Sequence, residues 1–173
     1  MKPLAKLQPP ALVTRPATLA DCEAIARIYN AGIAERAYTF ETRPRTPEDI
    51  SKWLGGRYPV VVTEEAGVVV AFASTGAYSP RECYAGVADF SVYVAPEARG
   101  RGAGSTAVRA LLEAAEAAGF YKLTSRVLAP NGSSREMLAK LGFREVGLHE
   151  QHARLEGVWY DVVVVERLLV ANL

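Results

Sequence analysis

The sequence predicts an α/β (α+β) fold, in which helices cover both faces of a mixed, mostly antiparallel central sheet. Three observations support it: a β-hairpin early in the chain, one strand, loop, helix and strand unit in the middle, and further β-rich runs near the end. The middle unit is a right-handed βαβ crossover, which makes two strands parallel. At 173 residues the chain can build one substantial core, so we expect a single domain over residues 12–170.

The first elements follow residues 1–11, which we expect to form a flexible tail. Residues 12–15 are a strand candidate. Thr18 and Asp21 then form a capping signal, because a hydroxyl three residues before an acid can satisfy free backbone N–H groups at a helix start. Apolar residues at helical spacing predict that this helix continues to about Ile33.

A second helix and a hairpin come next. Thr46 is followed by Pro47 and two acids, the pattern of a helix start, and the glycines at 55 and 56 predict its end. Residues 60–64 and 68–76 are rich in β-branched side chains, and the short linker between them suits a hairpin.

The crossover unit occupies the middle of the chain. Residues 77–86 form a long polar loop before a strand over residues 87–94, whose alternation separates two faces. Helical spacing over residues 104–118 ends at a glycine, as a helix C-terminus often does. Residues 123–127 supply the strand that completes the crossover.

The last elements are a short helix over residues 133–141 and two closing strands, residues 143–146 and 158–168. His149 and His152 lie three apart in or near a strand, so we expect them to face opposite sides. A shared metal is therefore not expected, and the sequence predicts no metal site.

Composition excludes several classes of function. Twenty basic residues against nineteen acidic ones give a net charge of +1, so no broad field attracts nucleic acid or anionic lipid. Cys22 and Cys83 are too few for a disulfide-stapled secreted protein and fit a reducing compartment, hence a cytoplasmic location. No segment approaches the roughly 20 apolar residues that cross a membrane, so no membrane partner is expected.

The segment RGRGAG, residues 99–104, lies between a strand end and a helix start. Glycines allow successive backbone N–H groups to point into one concavity, and the helix N-terminus adds a partial positive charge, so a pyrophosphate suits this place. Arg99 and Arg101 add full charges. A glycine turn that only reverses the chain is the other interpretation.

Two nucleotide-binding patterns compete for the same glycines. Gly102, Gly104 and Ala107 match the dinucleotide fingerprint of an oxidoreductase. That fold requires an acid near the end of the next strand, where this sequence has Thr124, Ser125 and Arg126. A P-loop is excluded because no lysine precedes Ser105. The pyrophosphate of another nucleotide remains.

The spacing of Arg99, Gly102 and Gly104 resembles the motif [RQ]-x-x-G-x-[GA] of the GNAT superfamily of N-acetyltransferases. The resemblance covers nearly the whole chain. The segments IYNAGIAE, DFSVYVAPEARGRGAGSTA and GVWYDVVVVERL are similar to the phosphinothricin acetyltransferase branch, and ECYAGVADFSVYV favours its arsinothricin group over methionine sulfone and sulfoximine enzymes. The resemblance implies acetyl-CoA as co-substrate, a small-molecule amine as acceptor and a homodimer.

By the same resemblance, acetyl-CoA lies in a cleft where the strand ending at Val94 diverges from the strand beginning near Leu123. Backbone amides of the glycine loop would meet the pyrophosphate, and the first of these strands would pair with the pantetheine arm. The cofactor-binding residues so implied are Val92, Tyr93, Val94, Arg99, Gly100, Arg101, Gly102, Ala103, Gly104, Ser105 and Asn131. For Asn131, a plain Pro-Asn-Gly turn is the alternative.

Acetyl transfer needs a neutral amine, whereas an α-amino group with a pKa of about 8 is mostly protonated at neutral pH. Asp89 is the predicted base, acting through water, and also the group that holds the ammonium. The resembling enzymes have an acid here, usually Glu; a partnered polar side chain without catalytic duty is the alternative. Leu138 stands where relatives carry Tyr or His, so Tyr93 is the fallback proton donor, with simple packing as its alternative.

The acceptor is expected to contact residues outside the glycine loop. By resemblance Arg81 faces the acidic group of the acceptor, and a guanidinium suits phosphinate, arsinate or carboxylate. A merely solvated arginine is the alternative. Tyr38, Phe40 and Tyr78 are expected to wall the pocket, with core packing as the other explanation. Two further classes stay open: a non-catalytic acyl-CoA-binding sensor module, suggested by Leu138, and an oxidoreductase.

Overall fold

The computed structural model describes residues 10–173, so most of the predicted tail lies outside the described residues. Seven strands form one sheet: β1 (Leu12–Pro16), β2 (Val60–Glu65), β3 (Val68–Ala77), β4 (Val87–Val94), β5 (Lys122–Leu128), β6 (Arg144–Leu155) and β7 (Val158–Leu168). The α-helices are α1 (Cys22–Ala34), α2 (Pro47–Ser51), α3 (Ala103–Ala117) and α4 (Gly132–Lys140).

The order of strands across the sheet is β1, β2, β3, β4, β5, β7, β6. All neighbours are antiparallel except β4 and β5, which are joined through α3 as a parallel pair. The predicted hairpin is β2 with β3, and the predicted crossover is β4, α3 and β5. The fold class predicted from the sequence is therefore confirmed.

The start of α1 follows the capping signal. The Thr18 N–H donates to the Asp21 carboxylate at 2.7 Å, and a short 3-10 turn over Leu19–Asp21 leads into the helix. Ile25, Ile28 and Ile33 are buried on the helix face that packs against the sheet. Helical spacing of apolar residues thus places α1 over β3 and β4.

The opposite face of the sheet carries α3, whose buried side chains recur at helical spacing. Val92 and Val94 point toward this helix: a Cβ added at Gly104 would lie 3.1 Å from Val94 and 4.0 Å from Val92. Tyr93, between them in β4, points to α1 instead, with its ring 4.7 Å from that of Tyr29. Strand alternation therefore divides β4 into an α1 face and an α3 face.

Two predicted elements have the wrong length. The second helix was predicted to reach the glycines at 55 and 56, but α2 ends at Ser51, and the N–H groups of Trp53 and Leu54 bond to carbonyls three residues back. The chain leaves the helix through this tighter turn before Gly55, which has φ +77°. The cap itself is confirmed, since Thr46 Oγ1 accepts from the Asp49 N–H at 3.1 Å.

The strand predicted over residues 143–146 is in fact the twelve-residue β6. Its register against β7 shifts at Glu145–Gly147 and again at His149–Ala153, so its side chains do not alternate regularly. The expectation that His149 and His152 face opposite sides is wrong. Gln151, between them, has φ +46°, and the two imidazole rings stack with centroids 4.4 Å apart. A bulge invisible in the sequence brings them to one side.

Candidate active site

The site begins where two parallel strands separate. β4 and β5 pair only from Val87 to Asp89 and from Lys122 to Thr124. Beyond these residues β4 continues along β3, while β5 continues along β7. A gap therefore opens in the middle of the sheet, and the β5 side of β4 has no strand to pair with there. An extended ligand can supply the missing strand.

The glycine loop lies at the end of β4 and opens α3. Gly100 and Gly102 have φ of +73° and +87°, the left-handed region that glycine adopts without a side-chain clash. Gly102 is the residue immediately before α3, and the Thr106 N–H bonds back to its carbonyl at 3.0 Å. Helix geometry leaves the earlier first-turn N–H groups, from Ala103 to Ser105, without acceptors inside the helix. They form the anion-binding end of α3.

The two loop arginines have protein partners. Arg99 donates from Nη1 and Nη2 to the two carboxylate oxygens of Glu35, each at 2.7 Å, and its guanidinium lies 4.8 Å from the centre of the Tyr38 ring. These hydrogen bonds lower the pKa of Glu35. Arg101 donates to Glu65 and to the carbonyl of Glu97, both at 3.0 Å. Backbone N–H groups, rather than free guanidinium charge, are thus the main attraction for an anion here.

One cavity of about 610 Å³ joins the glycine loop to the strand gap, a size typical of small-molecule sites. Its lining includes many of the predicted residues: Tyr38, Val92, Tyr93, Val94, Arg99, Gly100, Gly102, Ala103, Gly104, Ser105 and Asn131. Leu138, at the position of the missing proton donor, also lines it. A second groove of about 780 Å³ lies beside it, between the ends of α3 and α4 and β7. It contains none of the predicted site residues, so the first cavity is the candidate active site.

Asp89 lies at the last paired position of β4, on the α1 face of the gap. Arg126 Nη1 donates to both of its carboxylate oxygens, at 3.1 and 3.3 Å. Burial raises the pKa of Asp89 above its usual range, while the charge and hydrogen bonds of Arg126 oppose the rise. The result is a carboxylate that is more basic than an exposed aspartate.

Tyr93 is packed among aromatic rings. It meets Tyr29 edge to face and stacks on Phe72 at 5.5 Å. Burial is the largest cause that raises the pKa of Tyr93, and the neighbouring Tyr29 adds to it. Its phenol therefore keeps its proton at neutral pH. Both parts of the prediction meet in one side chain, since Tyr93 lines the cavity and also packs in the core.

Several predicted residues are not brought to the cavity. Phe40 packs against Tyr160 of β7, with ring centroids 6.2 Å apart, and Tyr78 lies edge to face on Tyr84. The Arg81 guanidinium lies 5.7 Å from the centre of the Tyr84 ring. These residues and Arg101 are outside the cavity lining. Asp89 is also outside the lining, although its sequence neighbour Phe90 and its partner Arg126 belong to it.

Asn131 fits both of its interpretations. Its Oδ1 accepts from the Ser134 N–H at 3.2 Å and so caps α4, and the Gly132 N–H bonds to the Pro130 carbonyl, as in a turn. The same residue lines the cavity on the side of β5. A cap and a ligand contact are compatible, because the amide nitrogen of Asn131 is not used by the cap.

Sequence reasoning missed some cavity residues, including Arg109, Ser125, Arg126 and Met137. Arg126 had a signal: a cation near the C-terminal end of a parallel strand. Met137 of α4 had none, since only the fold brings it within 3.3 Å of a Cβ built on Gly104. Residues 10–173 contain no cluster of three or more acids, cysteines or histidines that could hold a metal ion, and no helix among them is long and apolar enough to cross a membrane.

Comparison with known proteins identifies the family. The model of the acetyltransferase (GNAT) family matches residues 27–143, which spans the cavity and both strands of the gap. The chain is a GNAT acetyltransferase. It is therefore an acetyl-CoA-dependent N-acetyltransferase, as its curated relatives also indicate, and the oxidoreductase interpretation of the glycines is wrong.

Three relatives illustrate the position of this acetyltransferase in the family. It is 32% identical to the phosphinothricin N-acetyltransferase of Streptomyces coelicolor, covering 90% of this chain and 95% of that one. It is 30% identical to the L-methionine sulfoximine/L-methionine sulfone acetyltransferase of Pseudomonas paraeruginosa, covering 88% and 91%. A solved phosphinothricin acetyltransferase from Sinorhizobium meliloti in complex with acetyl-CoA has a TM-score of 0.85 at 29% identity, covering 91% and 88%.

Proposed function

We propose that this acetyltransferase acetylates the primary amine of a small amino-acid-like molecule of the phosphinothricin, arsinothricin, methionine sulfone or methionine sulfoximine type. The amine attacks acetyl-CoA directly while both are bound. One observation supports the proposal: the partly buried carboxylate of Asp89 is bonded to Arg126, which lines the cavity that runs from the glycine loop. Relatives named for such substrates support the acceptor class.

The residues of the cavity fit a coenzyme A thioester. First-turn N–H groups of α3 suit a pyrophosphate, and the open side of β4 suits an amide-bearing arm that adds as a strand. Gly104 lets the start of α3 pack close to β4, because a Cβ here would come within 3.1 Å of Val94. Bound acetyl-CoA supplies the activated acetyl carbonyl at the gap, where Asp89 lies.

Asp89 acts on the nucleophile. Its carboxylate binds the ammonium of the acceptor and takes one proton, directly or through a water molecule. The neutral amine nitrogen then forms a bond to the acetyl carbon, the carbon–sulfur bond breaks, and the second proton lost by the nitrogen balances protonation of the departing thiolate. The raised pKa of Asp89 favours this transfer because the carboxylate is a stronger base. A positioned base contributes about 10² to 10⁴ in rate.

The leaving thiolate needs little help. A thiol has a pKa of about 8.5, so its anion is a tolerable leaving group near neutral pH. Leu138 cannot donate a proton, and Tyr93, whose phenol keeps its proton, is the candidate donor in the cavity.

A resistance or detoxification role in the cytoplasm follows from this acceptor class, since N-acetylation neutralises the amine of a toxic amino-acid analogue. We further propose that the enzyme is a homodimer. The exposed apolar side chains along β6 and β7 support an interface there.

The test is turnover with purified enzyme. Acetyl-CoA is mixed with phosphinothricin, arsinothricin, methionine sulfone and methionine sulfoximine in turn, and release of free thiol is followed. We expect at least one of them to give a rate far above that of acetyl-CoA alone, with mass spectrometry showing one added acetyl group on nitrogen. Background rates with all four acceptors would refute the proposed acceptor class.

A further inference from the structure

Arg126 occupies the mouth of the strand gap, next to the proposed base. On β5 it lies two residues after Thr124 and so on the same face of the sheet. The Thr124 hydroxyl bonds to the Val165 carbonyl inside the sheet. Two residues further on, Arg126 has left the parallel pairing and reaches across the gap to Asp89. The Arg126 and Asp89 side chains remain 48% and 32% exposed, so the pair is open to solvent, and Arg126 lines the cavity.

The cations in the cavity differ in what they are free to bind. Those in its lining are Arg99, Arg109, Arg126 and Lys140. Arg99 is held by both oxygens of Glu35. Arg109 and Lys140 belong to α3 and α4, on the face of the glycine loop. Arg126 is therefore the cation of the cavity lining that contacts Asp89, the residue proposed to bind the amine of the acceptor.

We propose that Arg126 is a specificity-determining residue, which binds the carboxylate of an α-amino-acid acceptor while Asp89 binds its ammonium. This inference rests on the proposed function and names the group that selects its substrate class. An amino acid carries its two opposite charges on neighbouring atoms, and the Asp89–Arg126 pair presents the complementary charges side by side. When the amino acid binds, the Asp89–Arg126 ion pair is replaced by two others, Asp89 with the ammonium and Arg126 with the carboxylate.

The exchange is favourable because the existing pair is weak. It is half exposed and uses a single guanidinium nitrogen, a geometry that contributes little in water. The remaining N–H groups of Arg126 can form two parallel hydrogen bonds to a carboxylate. An amine without a carboxylate leaves Arg126 on Asp89 and must compete with it for the base. The pair thus discriminates against simple amines.

The experiment compares two acceptors that differ by one group: methionine sulfone and its decarboxylated amine. We expect Arg126→Gln to lower kcat/KM for the amino acid by roughly 10- to 100-fold, the range for hydrogen bonds to a charged group. The value for the decarboxylated amine changes by less than about 3-fold, and the acetyl-CoA KM stays unchanged. Arg126→Lys keeps the charge but not the planar guanidinium. Its kcat/KM for the amino acid should therefore lie between the values of the wild type and of Arg126→Gln.

Arg57→Gln is the matched control, because Arg57 is a cation over the Phe120 ring, outside the cavity lining. This variant should leave kcat/KM unchanged for both acceptors. If Arg126→Gln lowers kcat/KM equally for both acceptors, or for neither, the assignment is overturned.

Calorimetry separates this inference from the proposed function. Methionine sulfone is titrated into wild-type and Arg126→Gln enzyme, each saturated with coenzyme A, which cannot react. Binding at least about 10-fold weaker in the variant supports the role of Arg126 even if no acetyl transfer is seen. Equal affinities, or no binding to either protein, overturn it.

Discussion

The pKa of Asp89 is subject to two opposing influences. Its position at the end of the β4–β5 pairing removes it from water and raises its pKa, and the adjacent guanidinium of Arg126 limits the rise. The carboxylate works as a base only when ionised. Activity should therefore fall as pH decreases through the pKa of Asp89, at a higher pH than for an exposed aspartate.

We expect Asp89→Asn to lower kcat by about 10² to 10⁴, since an amide cannot accept the proton. The fall in activity at low pH, the acid limb of the pH profile, should disappear as well. Arg126→Gln removes the charge that lowers the pKa, so the limb moves to higher pH. The measurement is kcat/KM for the amino-acid acceptor across pH. Asp89→Glu is the matched control, because it keeps a base with a longer reach. An unchanged rate in Asp89→Asn would remove this residue from the mechanism.

Gly102 tests the glycine loop. Its φ of +87° is strained for any residue with a side chain, at about 1 to 2 kcal/mol. We expect Gly102→Ala to reshape the start of α3 and raise the acetyl-CoA KM by about 10-fold, as a loss of 1.4 kcal/mol implies. The acceptor KM should change little. Steady-state kinetics with each substrate varied in turn measures both.

Gly55→Ala is the control for strain alone. Gly55 has φ +77° in the turn after α2, and nothing lies within 4 Å of a Cβ built on it. It should lower stability by a similar amount without changing either KM. A similar rise of the acetyl-CoA KM in both variants would mean that general destabilisation, not the loop, explains the result.

The two arginines near the acceptor side illustrate what sequence could predict. Arg81 was chosen by resemblance, and the structure places it over Tyr84. The sequence assigns Arg126 no role beyond the missing acid of a dinucleotide site, although it meets Asp89 across the gap. The sequence identifies Asp89 by its place before the glycine loop, but its partner lies 37 positions away on another strand. Such a pairing follows from strand register, which a single sequence does not reveal.

At the scale of elements, a partly buried ion cluster stabilises the start of α1. Arg15 of β1 donates to the two oxygens of Asp21 at 2.7 and 2.8 Å, and the same carboxylate accepts from Thr18. The hydrogen bond from Arg15 is the main cause that lowers the pKa of Asp21 from 3.8 to about 2. The cluster joins the first strand to the first helix.

Asp21→Asn should reduce the free energy of unfolding by about 2 kcal/mol near neutral pH, the equivalent of this pKa shift. Since the folded pKa is depressed, the contribution is complete above 3.8 and disappears as pH falls through about 2. Urea unfolding at several pH values should show the two proteins converging in acid. Glu23→Gln, an exposed acid in the first turn of α1, is the control and should have little effect. A difference that persists at the lowest pH would contradict the electrostatic explanation.

The predictability of the elements depended on local signals. Strong caps and regular apolar spacing located α1, α3 and the β2–β3 hairpin within a few residues. β6 was mostly missed, because an exposed edge strand has no buried face to impose alternation and two register shifts break the period. The stacking of His149 on His152 follows from the second shift.

At the scale of the whole molecule, topology followed from the order of elements. A glycine loop between a strand and a helix implied a parallel crossover. The gap between its two strands was implied only by the resemblance to the acetyltransferase family. The depth of the cavity could not be predicted in the same way. It depends on α4 closing over the glycine loop, which brings Met137 toward Gly104.

The edge of the sheet formed by β6 and β7 is both the proposed dimer surface and a neighbour of the loop that carries Tyr38. Leu148 of β6 is 52% exposed and Trp159 of β7 is 53% exposed, so apolar surface lies along this end of the sheet. The turn between these strands also contacts the loop after α1, through a 3.0 Å ion pair of Glu156 with Arg36. An interface here would hold the loop that carries Tyr38.

We therefore expect the wild-type protein to sediment at twice the 18.7 kDa of one chain and Leu148→Lys to shift it toward the monomer. Leu19→Lys, at a still more exposed leucine before α1, is the control and should remain dimeric. The monomeric variant should show a raised acceptor KM and a nearly unchanged acetyl-CoA KM, because the glycine loop belongs to α3, far along the sheet order from β6. A wild-type monomer in sedimentation velocity would refute the dimer. A fully active Leu148→Lys monomer would instead show that the loop that carries Tyr38 is stable within one subunit.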